Sequence, residues 1–187
     1  MDTNESIGRY AVTTETRNFS AWMRGADIHS SINRCETIFN SGVLNSAGTA
    51  NVLFESAITH LLININDLLQ KARVDGKRIG FTDDVNLPEG SSDVTDLVKI
   101  CRNAACHVSS GEHMSDTNKF SFCVMAGLNP SAFTVNDVTM GCDYADDFAI
   151  YYGTTRIYVK RHMLRAFEQV AAAYTGMPVD NNVTDQK

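Results

Sequence analysis

Six consecutive residues, Arg102-Asn103-Ala104-Ala105-Cys106-His107, bring together side-chain types that cleave RNA without a metal. That reaction needs a base for the 2′-OH proton, a donor to stabilise the crowded phosphorane, and an acid for the leaving 5′-oxygen. Histidine suits proton transfer near neutral pH, and the rigid donor fork of arginine suits phosphate. Arg102 and His107 are five positions apart, which on an ideal helix turns one about 140° from the other. They converge only where the helix ends near Cys106 and His107 leaves its path. The following Val108-Ser109-Ser110-Gly111 is a sequence that allows such an ending. Asn103 lies one turn before His107, where its amide can fix the orientation and tautomer of the imidazole. The same Arg and His also complement the negative end of a helix dipole with no chemistry at all.

Other groups offer less specific chemistry. Lys160, Arg161, His162 and Arg165 are candidate phosphate contacts, or equally the solvated face of a helix. His113, in a polar stretch after the motif, is a candidate secondary RNA contact. Cys106 beside His107 suggests a Cys-His nucleophile, but neighbours on a helix point about 100° apart. Asp143, Asp146 and Asp147 could hold Mg²⁺, although an acidic turn before a strand explains them as well. His29 and His60 fall within helical stretches and are read as structural or exposed. No metal-ligand spacing and no cofactor motif stands out, so neither a metal nor a cofactor is expected. The five cysteines are scattered, odd in number and never spaced as C-x-x-C. They are read as reduced, small apolar residues.

The elements that must position these groups follow from apolar spacing. A first helix is expected over about 20–40, its stripe formed by Trp22, Ala26, Ile28, Ile32, Cys35, Ile38 and Phe39. A second, over about 47–73, keeps the three-four step from Leu53 to Ala72 and has the wide apolar face of a central bundle helix. Gly76, Gly80, Pro88 and Gly90 mark a long connection. Ser92 or Asp93 then caps a third helix, buried through Val94, Leu97, Val98, Cys101 and Ala105, which carries the Arg102 motif at its C-terminal end. After Gly111 the pattern alternates. Phe120, Phe122, Val124 and Ala126 suggest a strand, and the residues around Gly153-Thr154 a hairpin. A last helix is expected over about 160–174. The expected fold is therefore mainly all-α: about four principal helices with a small β-hairpin insertion before the last. Residues 1–175 form one domain, and 176–187 a polar tail.

Composition narrows the function classes. A 43% apolar, 20% charged chain of 187 residues suits one globular domain and rules out wholesale disorder. The longest apolar stretch, 57–69, is broken by Thr59, His60, Asn64, Asn66 and Asp67, so no membrane span is expected. The opening Met1-Asp2-Thr3-Asn4-Glu5 is unlike a secretory signal, and a soluble, cytoplasmic protein is expected. A net charge of −6 argues against a broad nucleic-acid-coating surface while leaving room for a local basic cleft.

The Arg-Asn-x-x-x-His run at the end of a bundle helix resembles the signature of the HEPN superfamily (higher eukaryotes and prokaryotes nucleotide-binding). The likeness spans roughly residues 20 to 175, with Arg102 to His107 its one sharp motif. The hairpin and helix start from Tyr151 to His162 look similar to the ending of a small prokaryotic branch of that family. The resemblance implies a metal-independent endoribonuclease, often a toxin of a toxin-antitoxin pair or a phage-defence enzyme. It also implies a homodimer whose two motifs share one cleft, with RNA as substrate and an antitoxin or nucleotidyltransferase as a possible partner. Arg102, Asn103 and His107 are the residues it maps as catalytic. Some members bind nucleotides or proteins without cutting RNA, which is the alternative the resemblance leaves open.

Overall fold

The computed structural model describes residues 14–45, 52–87, 90–106, 114–115, 118–119, 122–135 and 137–175. Four α-helices lie among them: α1 (Thr14–Asn40), α2 (Val52–Val74), α3 (Val94–Cys106) and α4 (Arg165–Tyr174). Seven strands separate α3 from α4: β1 (Met114–Ser115), β2 (Asn118–Lys119), β3 (Cys123–Ala126), β4 (Asn129–Val135), β5 (Val138–Cys142), β6 (Phe148–Tyr152) and β7 (Thr155–Tyr158). A π-helical segment, Val159–Leu164, joins β7 to α4.

The expectation of a mainly helical bundle with one small hairpin is corrected here. The strands pair antiparallel as β1-β2, β3-β6-β7 and β4-β5, so the chain is a mixed α and β protein with a strand-rich C-terminal part. Packing explains the difference. β6 is buried at all five positions, because one face meets the helices and the other meets the β4-β5 hairpin. Ile150, Tyr152, Ile157 and Val124 join the helical core, while Tyr151, Tyr158, Met125 and Ala149 meet Met140 and Cys142 in a second cluster. A sheet covered on both sides needs a second layer, and β4-β5 supplies it. The expected hairpin turn at Gly153-Thr154 is present, with Gly153 at φ +58°.

α2 is the central helix. Phe54, Ile58, Leu61, Leu62, Ile65, Leu68, Leu69 and Ala72 are buried on it, and it touches α1, α3 and α4. By length and composition alone it could also cross a membrane, but half of its most apolar window is buried inside this fold. Burial of Asn64 and Asn66 on the same helix suits a protein core better than a lipid face.

The first helix departs from the expected single stripe. Ile28, Ile32 and Cys35 face the core, whereas Phe19, Trp22 and Met23 are exposed. At 100° per residue these two sets lie on nearly opposite faces.

Gly141 decides how closely β4 and β5 can approach. A Cβ there would sit 2.2 Å from the Pro130 carbonyl oxygen and 2.4 Å from that of Asn129, both backbone atoms. The pairing shifts register between Asn129 and Phe133 at this place. Gly141→Ala is therefore expected to cost at least the ~1–3 kcal/mol of ordinary overpacking, measurable by denaturant unfolding. Unchanged stability would mean that the hairpin does not pack this tightly.

Candidate functional site

Capping sets the start of α3. Asp93 accepts the Asp96 backbone N–H at 3.2 Å, and Asp96 reaches back to the Ser92 N–H and hydroxyl. Arg78 clamps Asp93 through two bonds and pairs with Asp96. The Phe81 carbonyl takes the Val94 N–H, and the Ile79 carbonyl takes the Thr95 hydroxyl. The long connection between α2 and α3 thus holds the first turn of α3 rigidly. Leu97, Val98, Cys101 and Ala104 bury its inner face, and α2 is its main neighbour.

That geometry fixes Arg102 and Asn103. Arg102 follows Val98 by four residues and so lies at the margin of the buried face, half-buried. Asn103 is a further 100° round and also half-buried. The helix is regular through Cys106, which is exposed. His107 and His113 lie outside the described residues, so the convergence of Arg102 with His107 lies outside them too.

The end of α3 is packed against β6. The Tyr152 side chain is buried, its ring edge-on to Phe122. Burial pushes its phenol far up, Cys101, Glu55 and Cys106 add to this electrostatically, and the nearby Thr59 side chain opposes it. Glu55 and Thr59 of α2, Tyr152 of β6 and the last turn of α3 therefore meet in one place. Sequence spacing pointed to none of these neighbours of the motif, because contacts between α2, α3 and β6 leave no local pattern.

Arg102 differs from the other arginines. Arg24, Arg78, Arg156, Arg161 and Arg165 are half-buried and each forms an ion pair with an aspartate. Arg34 and Arg73 are exposed. Among the described residues, Arg102 alone is a half-buried arginine with no ion pair. A guanidinium held partly out of water without a carboxylate is available to an anionic ligand.

The cations read as RNA contacts are placed differently. Arg161 pairs with Asp146 and Asp147 and lies 3.5 Å over the Tyr144 ring. Lys160 sits 3.6 Å from Asp146, and Arg165 pairs with Asp83 while stacking on Phe81. Their charges are matched within the fold. His162, grouped with them by sequence, is fully buried. Asp147 is buried as well and accepts the backbone N–H groups of Phe148, Lys160 and Arg161. It caps the π-helical segment, while Asp143 takes the Tyr158 hydroxyl and pairs with Arg156. His29 and His60 are exposed, and His60 borders a shallow groove with Ser30, Asn33 and Arg34. Among the described residues no group of three or more His, Cys, Asp or Glu is arranged to hold a metal. Comparison with family models, curated proteins and solved structures finds no match to this chain.

Proposed function

We propose that this protein is a cytoplasmic, metal-independent endoribonuclease whose motif is of HEPN type, with Arg102, Asn103 and His107 as the reacting set. The observation that carries the reading is the half-buried Arg102, which has no ion pair among the described residues although five other arginines are each matched to an aspartate. Arg102 binds the scissile phosphate and neutralises charge as the phosphorane forms. His107 takes the 2′-OH proton, and Asn103 orients the imidazole or the substrate. Each chain supplies one such histidine, so a homodimer places a second His107 across the cleft to protonate the leaving 5′-oxygen. RNA is the substrate, and a toxin or defence role with a cognate antitoxin or nucleotidyltransferase would suit such an enzyme.

The experiment is cleavage of pooled RNA in EDTA with analysis of the new ends. Activity should persist and leave a 2′,3′-cyclic phosphate or its hydrolysed product, because the 2′-OH is the nucleophile. Loss of activity in EDTA that Mg²⁺ restores would overturn the mechanism. One observation favours a second reading, a catalytically silent module that binds a nucleotide or a protein. The cations near the π-helical segment are all engaged with acids, leaving little basic surface for a long RNA. Absence of cleavage on every RNA tested would make that reading the better one.

A further inference from the structure

His162 sits in the middle of the π-helical segment with none of its surface exposed. Its Nδ1 accepts the Tyr158 backbone N–H at 3.0 Å, so the ring must be neutral and carry its proton on Nε2. Nε2 is buried and has no hydrogen-bond partner among the described residues, and the Asp83 backbone lies near the ring. A second proton would have to go on Nδ1, facing the Tyr158 N–H, and would create a cation with no water around it. The segment is thus closed by a bond that only the neutral ring can make. A π-helical turn is itself unusual and commonly marks a functional place in a helix.

We propose that the Tyr158–His162 bond is an acid-releasable latch, whose protonation opens the π-helical segment and the 81–84 loop lying against it while α2 and α3 stay packed. The loop is tied to this region through Arg165–Asp83 and the Arg165 stack on Phe81. The charged groups around the ring come from every neighbouring element. Asp83 and Asp84 lie in the loop, Asp147 precedes β6, Arg156 is on β7, and Arg161 is the preceding residue of the segment itself. The Tyr158 ring packs at 5.3 Å. Burial lowers the His162 pKa to about 4, while Asp84 and Asp147 pull it upward and Arg156 lowers it further. Asp147 already serves three backbone donors and Arg161, so it has little left to offer an imidazolium.

The sign follows from linkage. The closed form has the lower pKa, so its advantage is complete above the ordinary histidine value of 6.5 and is lost as the pH falls toward 4. Between pH 7 and pH 5 the opening equilibrium should rise about 20-fold, before most ordinary carboxylates titrate.

The test is amide hydrogen exchange of residues 158–164 in the full chain at pH 7 and pH 5, corrected for intrinsic rates. Wild type should lose about 20-fold in protection over that interval, whereas His162→Asn should stay within about twofold. Asparagine keeps an oxygen acceptor for the Tyr158 N–H and cannot take up a proton in this range. Equal losses in the two proteins, or no loss in wild type, would overturn the latch. Should His162→Asn fail to fold, the imidazole ¹⁵N resonances of wild type decide the matter. The Nε2–H tautomer with a midpoint far below 6.5 is expected, and an Nδ1–H tautomer or an ordinary midpoint overturns the proposal.

Discussion

Replacing Arg102 with alanine is expected to slow RNA cleavage by about 10²–10³, the scale on which one positioned donor to a developing oxyanion acts. The fold should survive the change. Arg102 makes no ion pair among the described residues and sits at the edge of the buried face of α3, whose core contacts come from Leu97, Val98, Cys101 and Ala104. Thermal unfolding within a few degrees of wild type would confirm that the loss is chemical. Arg102→Lys should recover little of the rate, because an ammonium keeps the charge but not the paired donors that match two phosphate oxygens. Wild-type cleavage by a folded Arg102→Ala would remove the arginine from the mechanism.

The second large effect concerns stability. Asp147→Ala should cost about 3–5 kcal/mol, the range for removing one member of a buried charged network. Its two oxygens accept the N–H groups of Phe148, Lys160 and Arg161 at 2.8, 2.8 and 3.0 Å, and the Arg161 guanidinium at 3.1 Å. Truncation leaves those donors without their acceptor at the point where β6 and the π-helical segment meet. The expected fall in Tm is about 10 °C or more for a domain of this size. Asp147→Asn keeps one acceptor oxygen and should lose roughly half as much. A loss below about 1 kcal/mol for Asp147→Ala would show that the cap is not structural.

Legibility in the sequence depended on how local each signal is. The central helix was plain, since the Leu53–Ala72 period survives in the burial of Phe54 through Ala72. The third helix could be placed by its cap, and Asp93 and Asp96 do make the capping bonds. Alternation of Phe122, Val124 and Ala126 with Cys123 and Met125 implies a strand, and β3 forms there with Phe122 and Val124 on one core and Cys123 and Met125 on the other. What escaped was the β4-β5 hairpin. Phe133-Thr134-Val135 and Val138-Thr139-Met140 flank Asn136-Asp137, with Asp137 at φ +63°, but Pro130 and the sparse apolar content weaken the strand pattern. The basic run 160–165 shows its own cations by spacing but not the acids around them. Spacing cannot show that Asp83, Asp146 and Asp147 come from other elements to meet it. Arg102 and Asn103 could be named because their chemistry is carried in one short run, whereas Glu55, Thr59 and Tyr152 gather there only through tertiary packing.

The central claim, that the Arg102 to His107 run is an RNA-cleaving site, is tested most directly by the rate of RNA cleavage in EDTA with wild type and folded His107→Ala side by side. The alanine variant should be slower by about 10² or more, the usual scale for losing a general acid-base group, with no change in the fold. Equal rates from the two proteins would contradict the assignment.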